Sequence, residues 1–215
     1  MLEALPKANI SLDVLRFANL TYLASFATRK GLTIEEVTDV IAFDRDDVTK
    51  ELMDGPFERK PKLENRFGAL SRFSDGEWPV FYAAIGRDTA EKESTTHYGR
   101  KAAGDAGARR AVHYSVLRCR YSGETIDLVP QLAAWRALTS DDYKFCNGLG
   151  KEAHEMGLGG FLAPSARNAG GTTVPAFVRS TLLSPVIEAT ARLSYETGAT
   201  IVEYEDLPQA HDMMG

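Results

Sequence analysis

Residues 71–93 read SRFSDGEWPVFYAAIGRDTAEKE, and the parsing of the chain turns on this stretch. Ser74-Asp75-Gly76 is a turn signature, and Trp78–Ala84 is a compact apolar run that fits a buried strand. Asp88 stands where a helix cap belongs, with Glu91 three residues on, which predicts a helix to about Arg100. Turn, strand and helix therefore follow one another within a short span, and the flanking segments can be read against them.

Towards the N-terminus the texture is helical. Leu12, Leu15, Asn19, Leu20, Leu23, Phe26 and Ala27 recur at three-to-four-residue spacing, predicting a helix over Ser11–Lys30 with Gly31 as its stop. Thr33 and Glu36 form a capping-box pattern ahead of Val37, Val40 and Ile41. Asp44 is placed to cap a third helix ending near Asp54-Gly55-Pro56, and that Gly-Pro pair divides a helical extension, residues 1–56, from a domain over 57–215. Three short helices invite comparison with a DNA-binding helix-turn-helix. The would-be recognition helix, RDDVTKELMD, is acidic, whereas phosphate contacts need Lys and Arg, so direct nucleic-acid binding is not expected.

Beyond residue 93, Val112, Tyr114 and Val116 alternate over Ala111–Tyr121, and a turn at Ser122-Gly123 leads into Thr125–Val129, a hairpin pattern. Pro130 is placed to start a helix through Leu138, and Thr139 or Ser140 to cap another towards Met156. Strands are expected at Phe161–Ala163 and Thr172–Val178, and a last hairpin, Val186–Tyr195 with Thr200–Tyr204, turns around Gly198. Strands and helices mix without regular βαβ alternation, which places the chain in the α+β class.

Composition narrows the function classes. The chain has 215 residues, 44% of them hydrophobic and 26% charged, as in ordinary globular proteins. No run of about 18 apolar residues occurs and the N-terminus lacks a secretory layout, so no membrane role is expected and a cytoplasmic location is. Cys119 and Cys146 are the only cysteines, in no metal-like spacing, so no metal is expected. The net charge of −5 is unevenly spread: residues 57–120 carry thirteen Lys/Arg against eight Asp/Glu, while the segments on either side are acidic. A basic island in an acidic chain suits a phosphorylated small molecule better than a nucleic acid.

No GxSxG, GxxxxGK[ST], HExxH or suitably placed GxGxxG is present, and His97, His113, His154 and His211 have no evident partners. What remains is a constellation: Arg59, Arg66 and Arg72 before the strand, Tyr82 within it, Glu91 and Glu93 on the next helix, and PSARNAGG at 164–171. Arginine forks suit a diphosphate, a tyrosine wall suits a flat ring, and a carboxylate can stabilise a developing sugar cation. Taken singly, each of these residues fits a structural role better than a catalytic one.

The two segments together resemble the RES-domain family. Residues 71–93 match its arginine–aromatic pair, loop, strand ending in Tyr-x-Ala and helix with Thr-Ala-x-x-Glu; residues 159–178, GGFLAPSARNAGGTTVPAFV, match its serine motif. The resemblance covers roughly residues 57–206 and implies a fold like that of ADP-ribosyltransferase toxins acting on NAD. By that resemblance Arg72 would bind phosphates, Tyr82 would line the nicotinamide side, Glu93 would sit by the scissile ribose, and Ser165 would be the serine of the family name. The first family arginine would be Arg59 or its rival Arg66. Glu91 is the decoy, since helical spacing turns it about 200° from Glu93. The implied activity is cleavage of NAD at the nicotinamide–ribose bond, with water, phosphate or a protein as acceptor. The alternatives are a mono-ADP-ribosyltransferase and a catalytically degenerate interaction protein. The implied partner is an Xre-type antitoxin. Many members carry Gly-Gly before the second arginine and Asn after the aromatic, where this chain has Leu70-Ser71 and Ser74.

Overall fold

In the computed structural model, Lys7–Asn19 is an extended strand, β1, and not the start of a helix. The physical reason is legible once seen: Ile10, Leu12 and Val14 alternate with the exposed Asn9, Ser11 and Asp13, a period of two that holds before the three-to-four spacing begins. The structure describes residues 1–23, 27–28, 30–33, 36, 45–58, 71–105 and 111–206. Among the described residues the longer helices are α1 (Arg45–Glu58), α2 (Arg87–Gly104) and α3 (Lys144–Glu155), alongside β1 and six further strands. The strands are β2 (Phe81–Ala84), β3 (Val112–Asp127), β4 (Gly160–Pro164), β5 (Thr172–Ala176), β6 (Leu182–Glu196) and β7 (Ala199–Asp206). The fold class is mixed α and β with mainly antiparallel pairing, as expected.

The chain divides into two interleaved units. The first comprises Met1–Leu15, Asp54–Glu93 and Cys119–Ser184. Its strands run in the order β1-β2-β5-β4-β3, and β1 also pairs with β3. β2 lies antiparallel to β5, with Phe81 opposite Ala176 and Ala84 opposite Thr173; β5 lies antiparallel to β4, and β4 parallel to β3. The expected strands at Phe161–Ala163 and Thr172–Val178 are therefore present, whereas the run from Trp78 is extended only over Phe81–Ala84.

Against this sheet α3 buries Cys146, Leu149, Gly150 and Ala153, one stripe at i, i+3, i+4 and i+7. The core joins that stripe to Phe73, Trp78, Ile126, Leu128 and Phe161. Phe161 meets Phe73 and Phe177 edge-on at 5.3 and 5.1 Å, and its burial contributes about 3 kcal/mol. Gly150 lets α3 lie directly on the loop before β2: a Cβ there would stand 2.0 Å from the Phe73 carbonyl oxygen.

Four local expectations are corrected. β3 runs unbroken through Ser122-Gly123, so there is no hairpin. Gly123 is needed for room, since its Cβ would fall 2.8 Å from Thr181 Cγ2. The helix expected over Pro130–Leu138 is two 3-10 turns, Val129–Gln131 and Arg136–Thr139. α3 has Tyr143 at its cap position; neither Thr139 nor Ser140 caps it, and Ser140 Oγ instead accepts the Asp142 amide at 3.1 Å. Asp88 lies one residue inside α2, which starts at Arg87 and runs to Gly104, past the expected end at Arg100.

The second unit comprises Arg16–Met53, Ser94–Arg118 and Pro185–Gly215. Here β3 neighbours β6 and β6 pairs with β7, the expected hairpin, with Glu196 opposite Ala199. Its loop, Thr197-Gly198, has φ of 49° and 87°, the two left-handed residues of a type I′ turn. Gly31 does end a helical segment, at φ 71°, with its amide on Thr28 O and that of Leu32 on Ala27 O, a Schellman arrangement. The Thr33–Glu36 capping box is present in both directions: Thr33 N donates to Glu36 Oε2 at 2.7 Å and Glu36 N to Thr33 Oγ1 at 3.1 Å. α1 does not end at Gly55-Pro56; it continues to Glu58 with Pro56 inside its last turn.

Gly150→Ala is expected to lower stability by about 2–4 kcal/mol, because a backbone carbonyl cannot give way as a flexible side chain can. A urea titration reads the loss as a lower midpoint at unchanged slope.

Candidate active site around Glu93 and Ser165

Ser165 follows β4 and opens the loop that leads to β5. Its amide donates to Gly171 O at 2.8 Å, and Gly171 N returns to Asn168 O at 2.8 Å, so Ser165–Gly171 is a closed loop. Gly170, at φ 80°, supplies the left-handed residue. Asn168 fastens this loop to the start of α2: its Nδ2 donates to Asp88 Oδ2 and Thr89 Oγ1, each at 2.9 Å, and its Oδ1 accepts from Lys92 at 3.1 Å. Gly171 permits the approach, as a Cβ there would lie 2.6 Å from Thr89 Oγ1.

The consequence is one short bond. Ser165 Oγ donates to Glu93 Oε1 at 2.6 Å. The same oxygen accepts the amides of Arg167 at 3.1 Å and Asn168 at 2.9 Å. One proton and two lone pairs are thus all engaged, which fits a residue that orients a carboxylate better than a nucleophile. Glu93 Oε2 has no hydrogen-bond partner among the described residues, so one oxygen is fixed and one is open to chemistry. The acid that Ser165 reaches is Glu93.

Arg72 and Tyr82 form a second constellation. Tyr82 OH accepts the Phe73 amide at 2.7 Å and donates to Ser71 Oγ at 2.9 Å. Burial pushes the phenol well above the ordinary tyrosine range; those two bonds and the charge of Arg72 offset only part of it. Arg72 Nη1 donates to the carbonyls of Leu138 and Ser140 at 3.1 and 2.5 Å, and its guanidinium lies 4.9 Å over the Tyr143 ring. Asn147 on α3 donates to the carbonyls of Ser71 and Arg72 at 2.7 and 2.9 Å. Ser74 closes the turn itself: Oγ donates to Trp78 O at 2.6 Å and accepts the Gly76 amide at 3.0 Å. Cys146 lies beside Arg72, and burial pushes its thiol up, so it stays protonated.

Arg167 was in the quoted serine motif but not among the expected site residues. Its Nη2 bonds Asp141 Oδ1 at 2.5 Å, with Arg167 13% exposed and Asp141 59%. Burial works against the charge on Arg167; the hydrogen bond and charge of Asp141, with Tyr143 and Glu93 beside it, outweigh that and raise its pKa. Its nearness to Ser165 in sequence was the available signal. Arg59 and Arg66 lie outside the described residues. Among the described residues no three His, Cys, Asp or Glu side chains are grouped to hold a metal, and no helix is long and apolar enough to cross a membrane.

With this geometry in view, the sequence matches the RES domain family over residues 49–196. The chain belongs to that family. Both the Glu93 and Ser165 positions fall inside the matched RES segment. Among solved structures the chain is similar to one described as the crystal structure of the M.tuberculosis MbcT-MbcA toxin-antitoxin complex. That likeness is 18% in sequence identity, covers 84% of this chain and 86% of the other, and has a TM-score of 0.47. No curated protein matches the sequence.

Ser165→Ala is expected to leave two amides without their acceptor and to cost about 1–3 kcal/mol, read as a lower urea midpoint. A second expectation concerns alkali. Since Tyr82 holds its proton more tightly folded than unfolded, its contribution is intact below pH 10 and falls as pH rises above the ordinary tyrosine value. Stability measured from pH 8 to about 11 should therefore turn downward near 10, less steeply in Tyr82→Phe.

Proposed function

We propose that the chain is a toxin that cleaves the nicotinamide–ribose bond of NAD, and that residues 57–215 carry this chemistry. The observation that supports it most is the Glu93 carboxylate, held through one oxygen by Ser165 and open at the other. Nicotinamide bound in NAD is already cationic and leaves without a general acid. The enzyme's task is then to bind the dinucleotide and stabilise the oxocarbenium-like ribose as the bond lengthens. Glu93 Oε2 is the group for that, and a preorganised carboxylate needs no rearrangement as charge develops. Ser165 is a positioning residue in this reading. Tyr82 contributes a ring wall, its hydroxyl being engaged with Ser71 and Phe73.

Water as acceptor gives nicotinamide and ADP-ribose with release of a proton; inorganic phosphate would give the phosphorylated sugar, and a protein side chain an ADP-ribosylated target. A cognate antitoxin is part of this reading, because an NAD consumer would harm its own host if left uncovered.

The test is chromatography of NAD incubated with purified protein, with and without inorganic phosphate. Nicotinamide should appear together with ADP-ribose or its phosphate, and Glu93→Gln should slow its release about 100- to 1,000-fold. Equal release by the variant would remove Glu93 from the mechanism.

A further inference from the structure

Two arginines stand near the proposed site, and they are held differently. Arg72 Nη1 serves two main-chain carbonyls, Leu138 O and Ser140 O, and its face covers Tyr143. It thereby braces the segment that carries Asp141. Arg167 has no main-chain acceptor among the described residues. It is two residues from Ser165, its own amide is on Ser165 Oγ, and its guanidinium bonds one Asp141 oxygen. The rest of its fork has no acceptor among the described residues.

We infer that Arg167 is the cation that takes the substrate's diphosphate, with Asp141 as the partner it gives up when that anion arrives. This rests on the dinucleotide reading above and adds to it the residue that binds the phosphates. The exchange is physically balanced. A mostly buried guanidinium cannot be left without a counter-charge, and the diphosphate replaces one anion by another that its planar fork fits with paired bonds. Asp141, more than half exposed, returns to water at small cost. The loop closure at Ser165–Gly171 gives the arrangement its precision, since the same hydroxyl that orients Glu93 also fixes the Arg167 backbone. Phosphate grip and carboxylate orientation are thereby set by one element.

The test is calorimetric titration of the full chain with ADP-ribose and, separately, inorganic pyrophosphate. Arg167→Gln should weaken both about 10- to 100-fold, Arg167→Lys less, and Asp141→Asn should tighten both a few-fold by removing the competing anion. Arg192→Gln, which removes an exposed charge paired with Glu203, should leave both unchanged. In turnover, Arg167→Gln should raise KM with a smaller effect on kcat. Wild-type affinity for both ligands in Arg167→Gln overturns the inference, as does failure of the wild-type chain to bind either. Should Arg167→Gln not fold, Asp141→Asn decides: unchanged affinity overturns it, tighter binding supports it. If NAD turnover is absent, or survives in Glu93→Gln, the reaction reading falls, while loss of pyrophosphate binding in Arg167→Gln still supports the anion site. If Glu93→Gln abolishes turnover and Arg167→Gln binds normally, this inference falls alone.

Discussion

Ser165 has one proton and two lone pairs, and the fold engages all three, with Glu93 on one side and the amides of Arg167 and Asn168 on the other. The hydroxyl can do this only if β4 delivers it to the first turns of α2, and Asn168 and Gly171 secure that approach. A hydrogen bond to a charged acceptor is stronger than a neutral one, and here it also fixes direction. Were the loop free to move by an ångström, the carboxylate would lose its orientation and the site its preorganisation.

The second constellation is built on the same principle with different parts. The loop at 71–74 is bonded to itself through Ser71 and Ser74, to Tyr82 through Phe73 N and Ser71 Oγ, and to α3 through Asn147. Each bond is modest alone, about 1 kcal/mol net. Their joint effect is to remove freedom from Arg72, whose guanidinium then braces the segment over 136–144. The buried polar groups here are satisfied by one another, so the network specifies one geometry without leaving an orphaned donor in the core.

Several site features were legible because they are short-range. The choice of Glu93 over Glu91 came from the family resemblance, and helical periodicity added only that the two carboxylates point apart. The Thr33–Glu36 box, the Gly31 stop and the Thr197-Gly198 turn are each settled by residues within a few positions, where side-chain chemistry and φ preference leave little choice. The sequence around Arg167 signals only its nearness to Ser165, and nothing there distinguishes an arginine paired with Asp141 from one in water. The pairing spans 26 positions and depends on Arg72 holding the other side.

The elements misread from the sequence have one cause. β1 carries both a period of two and, further on, a period of three to four, and its strand state is decided by pairing with β2 and β3. β3 crosses Ser122-Gly123 unbroken, and Gly123 there leaves the room that Thr181 occupies. The sequence by itself determined the Thr33–Glu36 box, the Gly31 stop, the Gly198 hairpin turn, the strand pair around the serine motif and the family to which the chain belongs. Tertiary structure alone decided which extended runs pair, how far they continue, and which arginine stands in the loop with Ser165. Local chemistry fixes dihedral angles and turn types, whereas register and ion pairing are choices among distant partners that only packing can make.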